Sequence, residues 1–132
     1  MKSNSSTKPR KKRSERKRAV TAADKAFSLF IRARDHHQCV QCGTRDRITC
    51  GHVLSRAHYA TRWDPKNAFA QCSGCNMKHE FDPYPFLDHF MNTYSKEELE
   101  EMHLRWSSVT KYTTAQIRIM AQCFKEKARD LG

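Results

Sequence analysis

Glycine and proline are scarce, four of each in 132 residues, which excludes collagen-like and Pro-rich low-complexity chains. No apolar run approaches the roughly 18 residues of a membrane-spanning helix. Only 38% of the residues are hydrophobic, so a large core is excluded. The N-terminus is polar and basic with no apolar stretch behind it, which reads against a secretory signal. Acidic side chains are few: 14 Asp and Glu stand against 25 Lys and Arg, a formal charge of +11. A chain of this length makes one small domain, or one domain and a tail. Its excess positive charge suggests a polyanionic partner.

That charge is uneven. Residues 1–20 hold nine basic side chains and one acid, Glu15, and so carry +8 of the +11. The run from Lys8 to Arg18 has almost nothing apolar to bury and reads as a tail that is disordered when free. Its Arg10, Lys11, Lys12, Arg13, Arg16, Lys17 and Arg18 suit DNA phosphates, from which they would release counterions. A solubilising tail and a targeting signal are the other readings. Residues 21–94 then form the core and 95–132 a C-terminal helical extension. Thr21 with Asp24 reads as a helix start, and Phe27, Phe30, Ile31 and Arg34 share one face of that helix, which ends before Cys39. Residues 38–53 read as a hairpin, with a tight turn at 38–44 and a strand at 47–53. Residues 54–70 read as loop, with Asp64-Pro65 as a turn signal. A helix is expected near Cys72, another from the capping pattern Ser95–Glu98 to Trp106, and a last one after Thr113 or Thr114. Ile117, Met120, Phe124, Ala128 and Leu131 form its expected buried stripe. Phe81, Tyr84, Phe86, Phe90 and Tyr94 are expected core around Pro83 and Pro85.

The cysteines carry the sharpest signal. Cys39-Val-Gln-Cys42 and Cys72-Ser-Gly-Cys75 are two C-x-x-C pairs. Such turns place two sulfurs each at about 2.3 Å from a tetrahedral Zn²⁺. Disulfides lack a secretion signal to support them, and redox dithiols lack a thioredoxin-like pattern. A structural zinc on Cys39, Cys42, Cys72 and Cys75 would also compensate for the small core. Cys50 and Cys123 are left over and read as small buried hydrophobes.

Most tetrathiolate zinc sites are structural, so chemistry must come from elsewhere. His52 ends the expected strand, Asn67 lies five residues before Cys72, and Asn76 directly follows the last thiol. The three are placed to converge on one face of a hairpin–helix unit. Each has a plainer reading: His52 as a structural neighbour of the zinc, Asn67 as a loop stabiliser, Asn76 as a helix cap. Trp63 and Tyr59 could stack on a base or fill the core. His36 and His37 read as solvent-facing, His89 and His103 as structural or surface residues.

This arrangement resembles the HNH, or ββα-metal, nucleases in an H-N-N form. It resembles more closely the NinG/Rap family of lambdoid-phage recombination endonucleases. The residues that carry the likeness are Cys39-Val-Gln-Cys-Gly-Thr44, Gly51-His52, Ser55 to Asp64, and Asn67 to Asn76, with a looser likeness through Lys111-Tyr-Thr113. Phage endonuclease VII is similar in its zinc and Cys-Asn elements only. The resemblance implies an α+β, zinc-stapled domain with a ββα-metal, treble-clef-like core flanked by N- and C-terminal helices. It implies an endonuclease in the cytoplasm of a phage-infected or lysogenic host, acting on branched recombination intermediates such as Holliday junctions or D-loops. A homodimer would suit cutting two strands.

Within that resemblance His52 is the general base, Asn67 orients its ring, Arg56 clamps a phosphate and Asn76 helps to hold a catalytic Mg²⁺ or Mn²⁺. Many HNH proteins carry an Asp or His metal ligand just before the base, whereas this chain has Gly51. His79, three residues beyond Asn76 on the same helix face, is a further ligand candidate, with Asp64 and His58 behind it. The rival functions are a zinc-stabilised DNA-binding module without catalysis and an interaction protein whose zinc is scaffold only.

Overall fold

A computed structural model describes residues 14–132. The basic residues Arg10, Lys11, Lys12 and Arg13 of the expected tail lie outside the described residues. Ser14 caps the first helix, its hydroxyl accepting from the Lys17 N–H, and α1 runs over Glu15–Arg34. The helix therefore begins a turn and a half before the expected start at Thr21, and Arg16, Lys17 and Arg18 are helical. Ala19 and Ala23 explain the difference: both are fully buried, so packing overrides the local charge.

The chain then continues through β1 (Ile48–His52), α2 (Tyr59–Arg62), a 3-10 turn at Pro65–Asn67, β2 (Ala68–Cys72), α3 (Ser73–His79), α4 (Tyr84–Thr93), α5 (Lys96–Trp106) and α6 (Thr114–Asp130). The described residues form a small mixed α+β domain with six helices and a two-stranded sheet. β1 and β2 are antiparallel, with Ile48 opposite Cys72 and His52 opposite Ala68. The hairpin therefore pairs 48–52 with 68–72. The expected partner, the turn at 38–44, instead leans on β2, where the Val40 N–H donates to the Ala70 carbonyl at 3.0 Å. All five residues of β2 are buried, so no polar/apolar alternation marks the strand, and the sequence reads there as loop.

A two-stranded ribbon has little stability of its own. One core lies between it and the α1–α6 pair. Ala19, Ala23 and Ala26 let α6 come close, and Phe124 meets Phe27 edge-on at 5.0 Å. The C-terminal end of α1 ties down β2: Arg34 donates to the carbonyls of Pro65 and Ala68, and Asp35 accepts the Ala70 N–H. The second core, on the other side, is Val53, Phe69, Phe86, Phe90 and Met102, closed by α4 and α5. Ser95 caps α5 and α6 starts after Thr113, as the sequence predicts; the full capping box is at α6, between Thr113 and Gln116, and not at Ser95–Glu98.

Some expected core residues are outside. Phe81 and Tyr84 are exposed, because they precede the i, i+4 pair Phe86 and Phe90 that faces inward from α4. Leu131 is exposed too. It is the C-terminal cap of α6, just beyond the helix's last turn. Cys123 is exposed, on the side of α6 away from the rings that Phe124 meets. His36 and His37 are exposed as expected, and both take positive φ (60° and 54°) where the chain turns from α1 into the first knuckle.

Candidate active site and metal centre

The two C-x-x-C turns meet. The sulfurs of Cys39, Cys42, Cys72 and Cys75 all lie within 4.8 Å of one another, and those of Cys42 and Cys72 are 3.7 Å apart. A tetrahedron with metal–sulfur bonds of about 2.3 Å has edges of about 3.8 Å, so the donor set fits zinc. In each turn the second cysteine's N–H donates to the first one's sulfur, Cys42 to Cys39 and Cys75 to Cys72. Gly43 sits at φ +82° and closes the first turn.

The thiols are held in electrostatic conflict. Burial raises the Cys39 thiol, but amide donation from Cys72, Cys42 and Gln41 prevails and draws it down to about 7. Burial first, and then the neighbouring sulfurs, push Cys75 up. A divalent cation at the centre would remove that conflict, since it stabilises all four thiolates together. These four cysteines could hold a metal ion such as zinc.

Cys72 also caps α3 and so fixes the helix that carries Asn76 and His79. Asn76 is thus inside the helix and is not its cap. Asn76 and His79 line a cleft of about 670 Å³ together with His52, Arg56, Cys50 and Glu80. Cys50 and His52 alternate onto one face of β1. Burial pushes the Cys50 thiol up to about 12, so it stays protonated and packs as an apolar group.

His52 is fixed from two sides. Its Nε2 lies 2.9 Å from the carbonyl oxygen of Arg62, and its ring packs against Phe27 at 5.7 Å. A carbonyl only accepts, so Nε2 carries the proton and the lone pair is on Nδ1. Burial lowers the imidazole's pKa, which keeps it neutral at pH 7. Asp24 of α1 holds Arg62 with two hydrogen bonds, 3.0 Å to Nε and 2.7 Å to Nη2, and accepts from Trp63 Nε1 at 2.9 Å. Arg62 and Asp24 are therefore positioning residues that no local pattern in the sequence marks. Glu80 is likewise a carboxylate in the cleft that no motif in the sequence marks.

Asn67 takes the plainer of its two expected roles, as a loop stabiliser. It is fully buried, and it does not orient the His52 ring, which the Arg62 carbonyl does. Its Oδ1 accepts the Leu54 N–H at 2.7 Å, and its Nδ2 donates to the carbonyls of Leu54 and Thr61, both at 3.0 Å. It staples the loop between His52 and Arg62, whose carbonyl holds the His52 ring. Arg56 is largely exposed at the cleft, 4.0 Å from Asp24. Asp64 is bonded to Arg105, and the His58 ring packs tilted against Trp106 at 4.0 Å, and neither lines the cleft. The His79 ring rests edge-on against Phe86, and its Nδ1 is buried with no hydrogen-bond partner among the described residues. His89 packs edge-on against Phe69, and Trp63 is buried, so both serve the core.

Gly51 also has a local cause. A Cβ there would overlap the buried Gln71 Oε1 and come within 3.1 Å of Gln71 Cβ. Gln71 is fully buried and bonded to Gln41. Gly51→Ala is therefore expected to cost about 1–3 kcal/mol from overpacking. The Gly51→Ala/Gln71→Ala double variant should cost less than the sum of the singles, and thermal unfolding of the four proteins measures it. Additive losses would show that the clash is not what keeps this position glycine.

A family model described as "NinG: Bacteriophage Lambda NinG protein" matches residues 2–132. Among curated proteins the chain is similar to the protein ninG of Escherichia phage 933W and to that of Enterobacteria phage VT2-Sa. It is 26% identical to each over 116 residues, 85% of this chain. The chain spans 57% of the length of these relatives. No solved structure matches. With the family match running through both knuckles, His52 and all six helices, the chain belongs to the NinG family.

Proposed function

We propose that this chain is a metal-dependent DNA endonuclease with His52 as its general base. The observation that carries the reading is the His52 Nε2 bond to the Arg62 carbonyl in a cleft shared with Arg56, Asn76 and His79. That bond selects the tautomer whose free lone pair can take a proton from water. The water oxygen forms a bond to phosphorus as the P–O3′ bond breaks, and the water proton passes to His52 Nδ1. Arg56 binds a nonbridging phosphate oxygen, where negative charge grows. Asn76 and His79 would hold Mg²⁺ or Mn²⁺, with the Glu80 carboxylate on the same rim, and such an ion supplies Lewis-acid stabilisation of the leaving oxygen. The orphan His79 Nδ1 supports this donor set. Branched recombination intermediates as substrate, and a homodimer to cut them, are carried by the family resemblance.

The test is cleavage of supercoiled and branched DNA by the purified protein. Activity is expected to vanish in EDTA at concentrations that leave the thiolate-bound zinc in place. It should return with Mg²⁺ or Mn²⁺. Tight DNA binding with no cleavage under any divalent ion would favour a zinc-stabilised binding module instead.

A further inference from the structure

The outer side of the α1–α6 pair carries a groove of about 810 Å³ that the cleft chemistry does not use. Its walls are cationic: Lys25 and Arg32 from α1, Arg118 and Lys125 from α6. Its floor is small, with Ala22, Ala26 and Ala121, so a bulky chain can settle between the walls. Two acids face these cations. Asp24 is already bonded to Arg62, and Glu15 lies 3.6 Å from Arg118. Arg32 spends Nε on Ser28, 3.3 Å from its carbonyl and 3.1 Å from its hydroxyl, which fixes the guanidinium beside the groove.

The spacing suits a phosphate backbone. On each helix the two cations are seven residues apart, which places them on one face about 10.5 Å apart along the axis. Each DNA strand carries one phosphate per about 3.4 Å of helix axis, so for a duplex lying along the groove such a pair spans about three phosphate intervals of one strand. The groove and the cleft are also near one another. Asp24 borders the groove, and its carboxylate lies 4.0 Å from Arg56, which lines the cleft.

We propose that the α1–α6 groove is a docking surface for the sugar–phosphate backbone of duplex DNA. It holds the duplex beyond the scissile phosphate and contributes affinity, not hydrolysis. This inference rests on the DNA reading of the cleft.

The test measures binding of a short fluorescent duplex to the full chain by anisotropy, in EDTA and across a salt series. Lys25→Gln/Arg32→Gln/Lys125→Gln removes three groove charges, and circular dichroism checks that the helices persist. The slope of log affinity against log salt is expected to fall by about 2–3, at about 0.9 for each phosphate no longer neutralised. A charge-matched Arg45→Gln/Arg47→Gln/Lys96→Gln variant, altered away from the groove, should keep the wild-type slope. An unchanged slope in the groove variant overturns the proposal and leaves the groove to a protein partner. An equal loss in both variants also overturns it, because the effect is then net charge alone. Failure of the unaltered chain to bind DNA overturns the endonuclease reading as well, so the two failures are distinguishable.

Discussion

His52→Ala is expected to lower the rate of phosphodiester cleavage by about 10²–10⁴-fold, the usual worth of a positioned general base. The size of the loss follows from how completely the ring is committed. The Arg62 carbonyl accepts the Nε2–H hydrogen bond, Phe27 packs against the ring, and burial keeps the imidazole neutral. Affinity for uncleaved DNA should scarcely change, because a neutral imidazole contributes little to phosphate binding. The pH profile gives an independent readout. A general base works only when deprotonated, and burial holds the His52 pKa below the ordinary 6.5. Cleavage is therefore expected at full rate at pH 7 and should be lost as pH falls through that lowered value. Asp24→Asn should act through position alone. It weakens the grip on Arg62, and so it lowers the rate by less than His52→Ala does. Single-turnover rates across pH for wild type, His52→Ala and Asp24→Asn decide the matter. Cleavage by His52→Ala at the wild-type rate would remove this residue from the chemistry.

The parts of this site that are legible in the sequence are those fixed by local chemistry. A thiolate tetrahedron needs cysteines at short spacing, so the knuckles show themselves. Their chain positions then imply that Asn76 and His79 share a helix face. The illegible parts depend on partners far along the chain. Asp24 reads as a first-turn acid, yet it is held by Arg62, 38 residues away. β2 reads as loop because burial on both faces erases alternation. The first turns of α1 read as disordered tail because charge density dominates composition, while Ala19 and Ala23, fully buried, are inconspicuous there. Asn67 is legible as a polar residue near His52 that can stabilise its loop, but the partners of that staple are not. That role depends on Leu54 and Thr61 arriving on either side, which only the closed hairpin ensures.

Cys72→Ser is expected to abolish both the fold and the activity. One zinc ion per chain should be found in the unaltered protein by elemental analysis, and none in the variant. Structural zinc on four thiolates contributes about 10–16 kcal/mol of apparent binding energy, while a small domain is stable by only about 5–15 kcal/mol. Losing the ion therefore exceeds any reserve that two small cores provide. Cys72 is the most exposed point of failure because it ends β2, caps α3 and approaches Cys42 at 3.7 Å. Without it the helix bearing Asn76 and His79 loses its anchor to the strand pair bearing His52. Far-ultraviolet circular dichroism should show lost helix, and the thermal transition should disappear. Cys123→Ser is the matched control: that thiol is exposed on α6 and outside the cluster, so stability and metal content should stay at the wild-type level. A wild-type transition in Cys72→Ser, with no metal in either protein, would mean that the four thiols are a packed cluster and that the cleft is assembled by the two apolar cores alone.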